Sequence, residues 1–238
     1  MTGSSLHMSE DSKPQSEIPI YLVSSAYTLG DRRPISTLTE QIGEAAIDEL
    51  MSEGIVSYCH SEESSSYLSA RSIEETFALW KAQYDLSEIG MVLYCSESLE
   101  PGQGIGPELV AACASAGLEH VSIVGVSMNS CGNLAPAIRL ARGLLRGGDC
   151  RAVAIVTADV SNGRSRLAYM NMGILSDGAA SFVLTTLPAT SGFCIHGFGH
   201  ATNHKLLSFE LERNKRSVLK NITVGVREAV VCLRKTGP

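Results

Sequence analysis

The sequence predicts an α/β chain built on a mostly parallel sheet with helices on both faces. Three observations carry this. Apolar β-rich runs alternate with segments of helical spacing along nearly the whole chain. The later strand candidates are continuous apolar runs rather than alternating ones, as expected of strands buried on both sides. Hydrophobic residues make up 44% and charged residues 18% of the 238, enough apolar area for a sizeable core and too little charge for a disordered chain.

The elements follow in order. Residues 1–17 are polar, without the apolar centre of a secretory signal, and read as a flexible tail. IPIYLVSSAY (18–27) is apolar and β-rich, the expected first strand. In TLTEQIGEAAIDELMSEG (37–54), Leu38, Ile42, Ala45, Ala46 and Leu50 recur at helical spacing and Gly54 ends the run. HSEESSSYLSA (60–70) reads as a loop, and SIEETFALWKAQY (72–84) as a helix opened by a Ser-x-x-Glu capping box. IGMVLYCSES (89–98) is a buried strand, EPGQG (100–104) a turn and GPELVAACASAGL (106–118) a helix of small residues. VSIVGVSM (121–128) predicts a strand, APAIRLARGLLRGG (135–148) a helix and RAVAIVTADV (151–160) a strand. Residues 173–187 and 192–201 are two further strand candidates, and 216–237 a final helix.

The chemistry centres on one cysteine. Seven cysteines are scattered without a C-x-x-C pair, which fits reduced thiols in a cytoplasmic protein and no zinc site. Cys131 falls between the strand ending near 128 and the helix beginning near 135. At such a corner the unpaired N–H groups and dipole of the helix start favour negative charge. That lowers a thiol's pKa, and the same groups would hold an oxyanion formed when a thiolate attacks a thioester. A small buried residue packed under the helix is the other reading of Cys131, and position alone does not separate the two. The net charge of −6 argues against nucleic-acid binding, and no uninterrupted apolar stretch is long enough for a bilayer.

Other constellations are weaker. His196, His200 and His204 lie four apart with Asn203 between. Gly197 and Gly199 oppose the helix a metal face would need, leaving a structural role, or a base acting with Cys131. Asp177 beside Gly178 reads as a turn-bonding residue rather than a catalytic carboxylate. The glycines of GQGIG (102–106) lack the Lys-Ser/Thr of a phosphate loop. Arg139, Arg142 and Arg146, with Arg151 nearby, form either a solvated face or a patch for an acidic partner.

Four stretches bear a family resemblance: DLSEIGMVLYCSES, VSMNSCGNLAPAIRLARGLLRGG, AVAIVTADV and SDGAASFVL. In this order, across residues 86–187, they resemble the first half of the ketoacyl-ACP synthase III-like branch of the thiolase superfamily. The resemblance implies a thiolase-like fold with a first half at 18–190 and the start of a second, incomplete half at 191–238. It implies an acyltransferase in which Cys131 takes an acyl group from a CoA or carrier-protein thioester. That thioester, with its CoA or phosphopantetheine, is the substrate, and no cofactor is implied. The family completes its site with a His and an Asn, the His in a Pro-His-x-x-Asn type motif absent here, so these would come from another subunit or further chain. The family's coenzyme A-holding Trp has no match near IDELMSEGI, and its Gly-Ile-Arg reads Gly54-Ile55-Val56. The resemblance therefore implies polyketide or other secondary-metabolite biosynthesis. Expected partners are acyl-CoA or an acyl carrier protein and, as a dimer, a second copy or a related subunit, with no nucleic acid and no membrane. The alternative is a non-catalytic thiolase-like subunit that stabilises a catalytic partner.

Overall fold

The structure is a computed structural model that describes residues 18–97, 105–127, 132–161, 166–168, 173–199 and 215–236. Strands β1 (Tyr21–Leu29) and β2 (Asp31–Pro34) open the chain, followed by the short helices α1 (Thr39–Ile42) and α2 (Glu44–Ser52). Then come β3 (Ser57–His60), α3 (Ser65–Lys81), β4 (Ile89–Cys95), α4 (Pro107–Ser115), β5 (Ser122–Val126), α5 (Leu134–Gly147) and β6 (Ala152–Asp159). The short pair β7 (Leu167–Ala168) and β8 (Gly173–Ile174) precedes β9 (Gly178–Thr185), β10 (Phe193–Cys194) and α6 (Lys215–Thr236).

The main sheet has six strands in the order β10-β1-β9-β6-β4-β5. β4 is parallel to both β5 and β6, while β9 is antiparallel to β6 and β1, and β10 to β1. Four strands, β1, β4, β5 and β6, therefore run one way, and the α/β class with mostly parallel strands holds. α3 and α4 cover one face, around a core that includes Ile73, Phe77, Trp80, Val92 and Leu109. α5 covers the other through Ala137, Ala141 and Leu145, against Leu93, Val153 and Ile155. The chain thus leaves β4 over one face to reach β5, and returns over the other face to β6. A satellite core of Ile35, Leu38, Ile47, Leu50 and Tyr58 lies beside the antiparallel β2–β3 pair.

The departures from expectation have local causes. The helix expected over 37–54 is broken at Gly43, whose φ of 84° lies outside the helical region. The run expected as a loop over 60–70 is one only at residues 61–64, and its remainder from Ser65 is the start of α3. Ser64 caps the helix by accepting from the Tyr67 N–H at 3.0 Å. Ser72, expected as a helix cap, lies mid-helix and fully buried, and shares a hydroxyl cluster with Thr76 and Ser181 at 2.7–2.8 Å. Small hydroxyls that satisfy one another let α3 lie close on the sheet, so a polar sequence forms a buried face. The strand expected over 173–187 divides into β8 and β9 around Leu175–Asp177. That expected over 192–201 is regular only at β10, within the described residues.

Candidate functional site

The candidate site is the sheet end where β4, β5 and β6 stop and α5 begins, the place where the chain leaves the sheet for opposite faces, referred to as the crevice after the general rule for such switch points. The predicted corner is present: β5 stops at Val126 and α5 starts at Leu134. Cys131 itself lies outside the described residues, as do His200, Asn203 and His204. Immediately after Cys131, Gly132 is exposed and Asn133, the N-cap of α5, is buried.

Three polar groups tie this crevice together. The Asn133 amide donates from Nδ2 to the carbonyl of Ser96 at 3.0 Å, joining the start of α5 to the exit of β4. The Ser96 hydroxyl donates to Asp159 Oδ1 at 3.1 Å, and the Glu97 N–H donates to the same oxygen at 2.7 Å, joining β4 to the exit of β6. Each of these residues ends or begins an element, so sequence periodicity passes over them. The signal available was their position one residue beyond an apolar run. The Asp159 carboxylate also acts on Cys95: burial first, and that charge second, push the Cys95 thiol up to about 11. Burial likewise raises Cys113 to about 11, and burial with Asp149 raises Cys150. These three thiols stay protonated at neutral pH and are poor nucleophiles.

A second cluster lies along the same end of the sheet. Asp177 precedes β9, and Arg166 bonds it bidentately, Nη1 to Oδ1 at 3.0 Å and Nη2 to Oδ2 at 2.7 Å. Its oxygens also accept the N–H groups of Ser161 and Ser61, each at 2.8 Å. Burial opposes ionisation, but the guanidinium and the two N–H groups outweigh it and hold the Asp177 pKa below the ordinary aspartate value. Arg166 lies over the Tyr58 ring and also reaches His60 Nδ1 at 2.6 Å. The other His60 nitrogen meets Glu62 at 2.7 Å. The turn-bonding role expected of Asp177 is thus one part of a buried clamp joining β3, the segment after β6 and the start of β9. The sequence reading missed Arg166 and His60, which lie 11 and 117 residues from Asp177 and meet it only through the fold.

Gly30 completes the clamp by donating to the Asp177 carbonyl at 3.1 Å, with the His60 backbone against its α-carbon. A Cβ there would strike the His60 carbonyl, so Gly30→Ala is expected to cost about 1–3 kcal/mol, read as a lowered urea midpoint at unchanged slope.

The structure separates His196 from the crevice. Ile195 donates to the Ile20 carbonyl, beside the start of β1 and the end of β9, where β6 begins. His196 therefore follows an anchor at the opposite end of the sheet, which removes the support for it as a base acting with Cys131. Of the arginines, Arg142 lies over the Phe198 ring at 5.6 Å and Arg151 pairs with Glu88 at 2.9 Å. Gly106 is the N-cap of α4 and packs directly on Ser66, a steric role that accounts for the residue. Among the described residues, no group of His, Cys, Asp and Glu could hold a metal ion, and no helix is long and apolar enough to cross a membrane. An open cavity of about 420 Å³, lined by Lys81, Tyr84, Asp85, Ser87 and His120 among others, lies at the far end of the sheet, beside the start of β4.

No family model and no curated protein matches the sequence. Solved structures do match the fold. The 3-oxoacyl-(acyl carrier protein) synthase III FabH from Pseudomonas aeruginosa superposes with a TM-score of 0.63 at 14% identity, over 79% of this chain and 58% of that one. The priming β-ketosynthase of a polyketide biosynthetic pathway gives 0.62 at 17% identity, over 84% and 60%. OleA from Xanthomonas campestris gives 0.68 at 14% identity, over 94% and 74%. The chain spans little more than half the length of several of these structures. With β4, β5 and β6 opening onto the start of α5, and these structures superposing on most of the chain, the fold is the thiolase-like fold of the ketoacyl synthase III group.

Proposed function

We propose that the chain is an acyltransferase of the ketoacyl-ACP synthase III type. Cys131, as thiolate, attacks the carbonyl of a CoA or carrier-protein thioester. The oxyanion is held by backbone N–H groups at the start of α5 while the donor thiolate leaves, so one thioester is exchanged for another. The acyl group then passes to an acceptor by condensation or simple transfer, in polyketide or other secondary-metabolite biosynthesis, by a cytoplasmic dimer. Residues 18–190 make the first half of this unit and 191–238 begin the second. The observation that carries the reading is the helix start directly after Cys131, at the carboxyl ends of three parallel strands. The sequence holds no Pro-His-x-x-Asn motif, so the step assigned to this chain alone is acyl loading.

The test is intact-mass spectrometry of the purified chain after incubation with a panel of acyl-CoA donors and an acylated carrier protein. The expected result is a single acyl adduct on the native protein and none on Cys131→Ala. An adduct that persists in the variant, or no adduct from any donor, overturns the enzymatic reading. One observation favours the second reading, a non-catalytic subunit that binds a related chain. α6 exposes Leu219, Ile222, Val226, Val230 and Leu233 along one stripe, an apolar surface suited to a partner.

A further inference from the structure

Arg166 fixes the protonation state of His60. A guanidinium offers only N–H donors and keeps its charge. Its Nη2 lies 2.6 Å from His60 Nδ1, so that ring nitrogen is the bare acceptor. The ring proton then sits on Nε2, which donates to Glu62 Oε1 at 2.7 Å. The ring held this way is neutral, although two carboxylates border it: Asp177 Oδ2 also stands 3.3 Å from Nδ1. From β2, Asp31 is the register partner of His60, and Arg33 reaches Glu62 at 3.7 Å. Arg166 and Asp177 are 6% and 1% exposed, whereas the His60 side chain is 23% exposed. Solvent protons therefore reach the ring but not the ion pair behind it.

A proton added at Nδ1 changes what this junction can hold. An imidazolium has no acceptor, so the bond from Arg166 is lost and two like charges face each other. The new Nδ1–H turns to Asp177 Oδ2, the oxygen that already accepts Arg166 Nη2 at 2.7 Å and the Ser61 N–H at 2.8 Å. Oδ1, which holds Arg166 Nη1 and the Ser161 N–H, takes no part in this exchange.

We propose that His60 is a pH-sensitive latch. Neutral, it locks the loop after β3 to the Asp177–Arg166 pair; protonated, it releases that loop at Ser61 while the Ser161 side of the clamp stays closed. The bond from Arg166 is present above the ordinary imidazole range, about pH 6.5, and is lost as the pH falls through it. The latch is independent of Cys131 and of any acyl transfer.

The experiment uses the full chain, native and as His60→Asn, whose Oδ1 stands near the place of Nδ1 and does not titrate. His60→Gln, also without a titrating ring, is the second variant. Imidazole nitrogen shifts are recorded on protein carrying isotopically labelled histidine, the His60 signals being those missing from the variants. Amide hydrogen exchange, corrected for the intrinsic effect of pH, is compared at about pH 8 and about pH 5.5, on either side of the imidazole range. The expected ring at the higher pH is the Nε2–H tautomer. On acidification, exchange over Ser57–Ser64 should quicken about tenfold or more in the native chain, the worth of one hydrogen bond to a charged group. It should stay unchanged in both variants, and the Ser161 N–H should keep its protection throughout. An Nδ1–H tautomer or an imidazolium at the higher pH overturns the proposal. So does equal quickening in native and variant chains. Stronger protection of the native loop on acidification also overturns it, since the imidazolium–Asp177 pair would then be the locked form.

Discussion

Asp177→Ala is expected to destabilise the chain by about 3–5 kcal/mol, because it leaves the Arg166 guanidinium buried without its counter-charge. At about 2–4 °C per kcal/mol for a chain of this size, the thermal midpoint falls by roughly 6–20 °C. Two further donors, the Ser61 and Ser161 N–H groups, lose their acceptor in the same step. Acid should act on the native protein in the same direction. The folded pKa of Asp177 lies below its ordinary value, so its stabilising contribution is complete above about pH 4 and is lost as the pH falls through the folded value. Asp177→Asn should therefore be destabilised at neutral pH and show a flatter decline below pH 4 than the native chain. Chemical denaturation at a series of pH values checks both. Equal acid slopes in the two proteins would mean that the carboxylate does not carry the linkage.

Trp80→Ala is expected to cost about 3–5 kcal/mol through the cavity it leaves. The indole is fully buried under the last turn of α3, stacks on Tyr84 at 4.2 Å, and donates from Nε1 to the Asp85 carbonyl at 2.8 Å. Trp80→Phe keeps most of the volume and loses the hydrogen bond, so about 1–2 kcal/mol is expected. Because Trp80 is the only tryptophan, unfolding should be followed by circular dichroism rather than fluorescence. If the two variants lose the same stability, volume is not what holds this face together.

The two perturbations test different parts of the molecule. Trp80 reports on the layer of α3 and α4, far from the crevice, whereas Asp177 clamps loops at the end of the sheet where the candidate site lies. A variant at Trp80 that folds should keep the reactivity proposed for Cys131. A variant at Asp177 loosens the segment after β6, whose Asp159 anchors Ser96 and, through it, the start of α5.

Much of the architecture was legible before any coordinates. The alternation of apolar runs and helical spacing located β4, α4, β5, α5 and β6 to within a few residues, because burial of a face leaves a periodic imprint. Gly148, with φ of 77°, ended α5 within one residue of the expected position. What failed did so where periodicity carries no information. Ser72 and Thr76 of α3 are polar by composition but buried by hydrogen bonding with Ser181, more than a hundred residues away. The antiparallel β2–β3 pair has too few apolar residues to announce itself, and Ile35, Leu38 and Tyr58 close a small core beside it.

The sequence by itself determined the α/β class, the order of the central elements and the placement of Cys131 between a strand and a helix. These follow from local pattern, since apolar spacing and a small-residue corner are properties of neighbouring residues. Only the tertiary structure decided which polar groups meet. It brought Asn133 to Ser96, Ser96 to Asp159, and Arg166 and His60 to Asp177, and it placed His196 at the far end of the sheet. A hydrogen bond between residues tens of positions apart depends on strand order and crossover direction, and a linear spacing encodes neither.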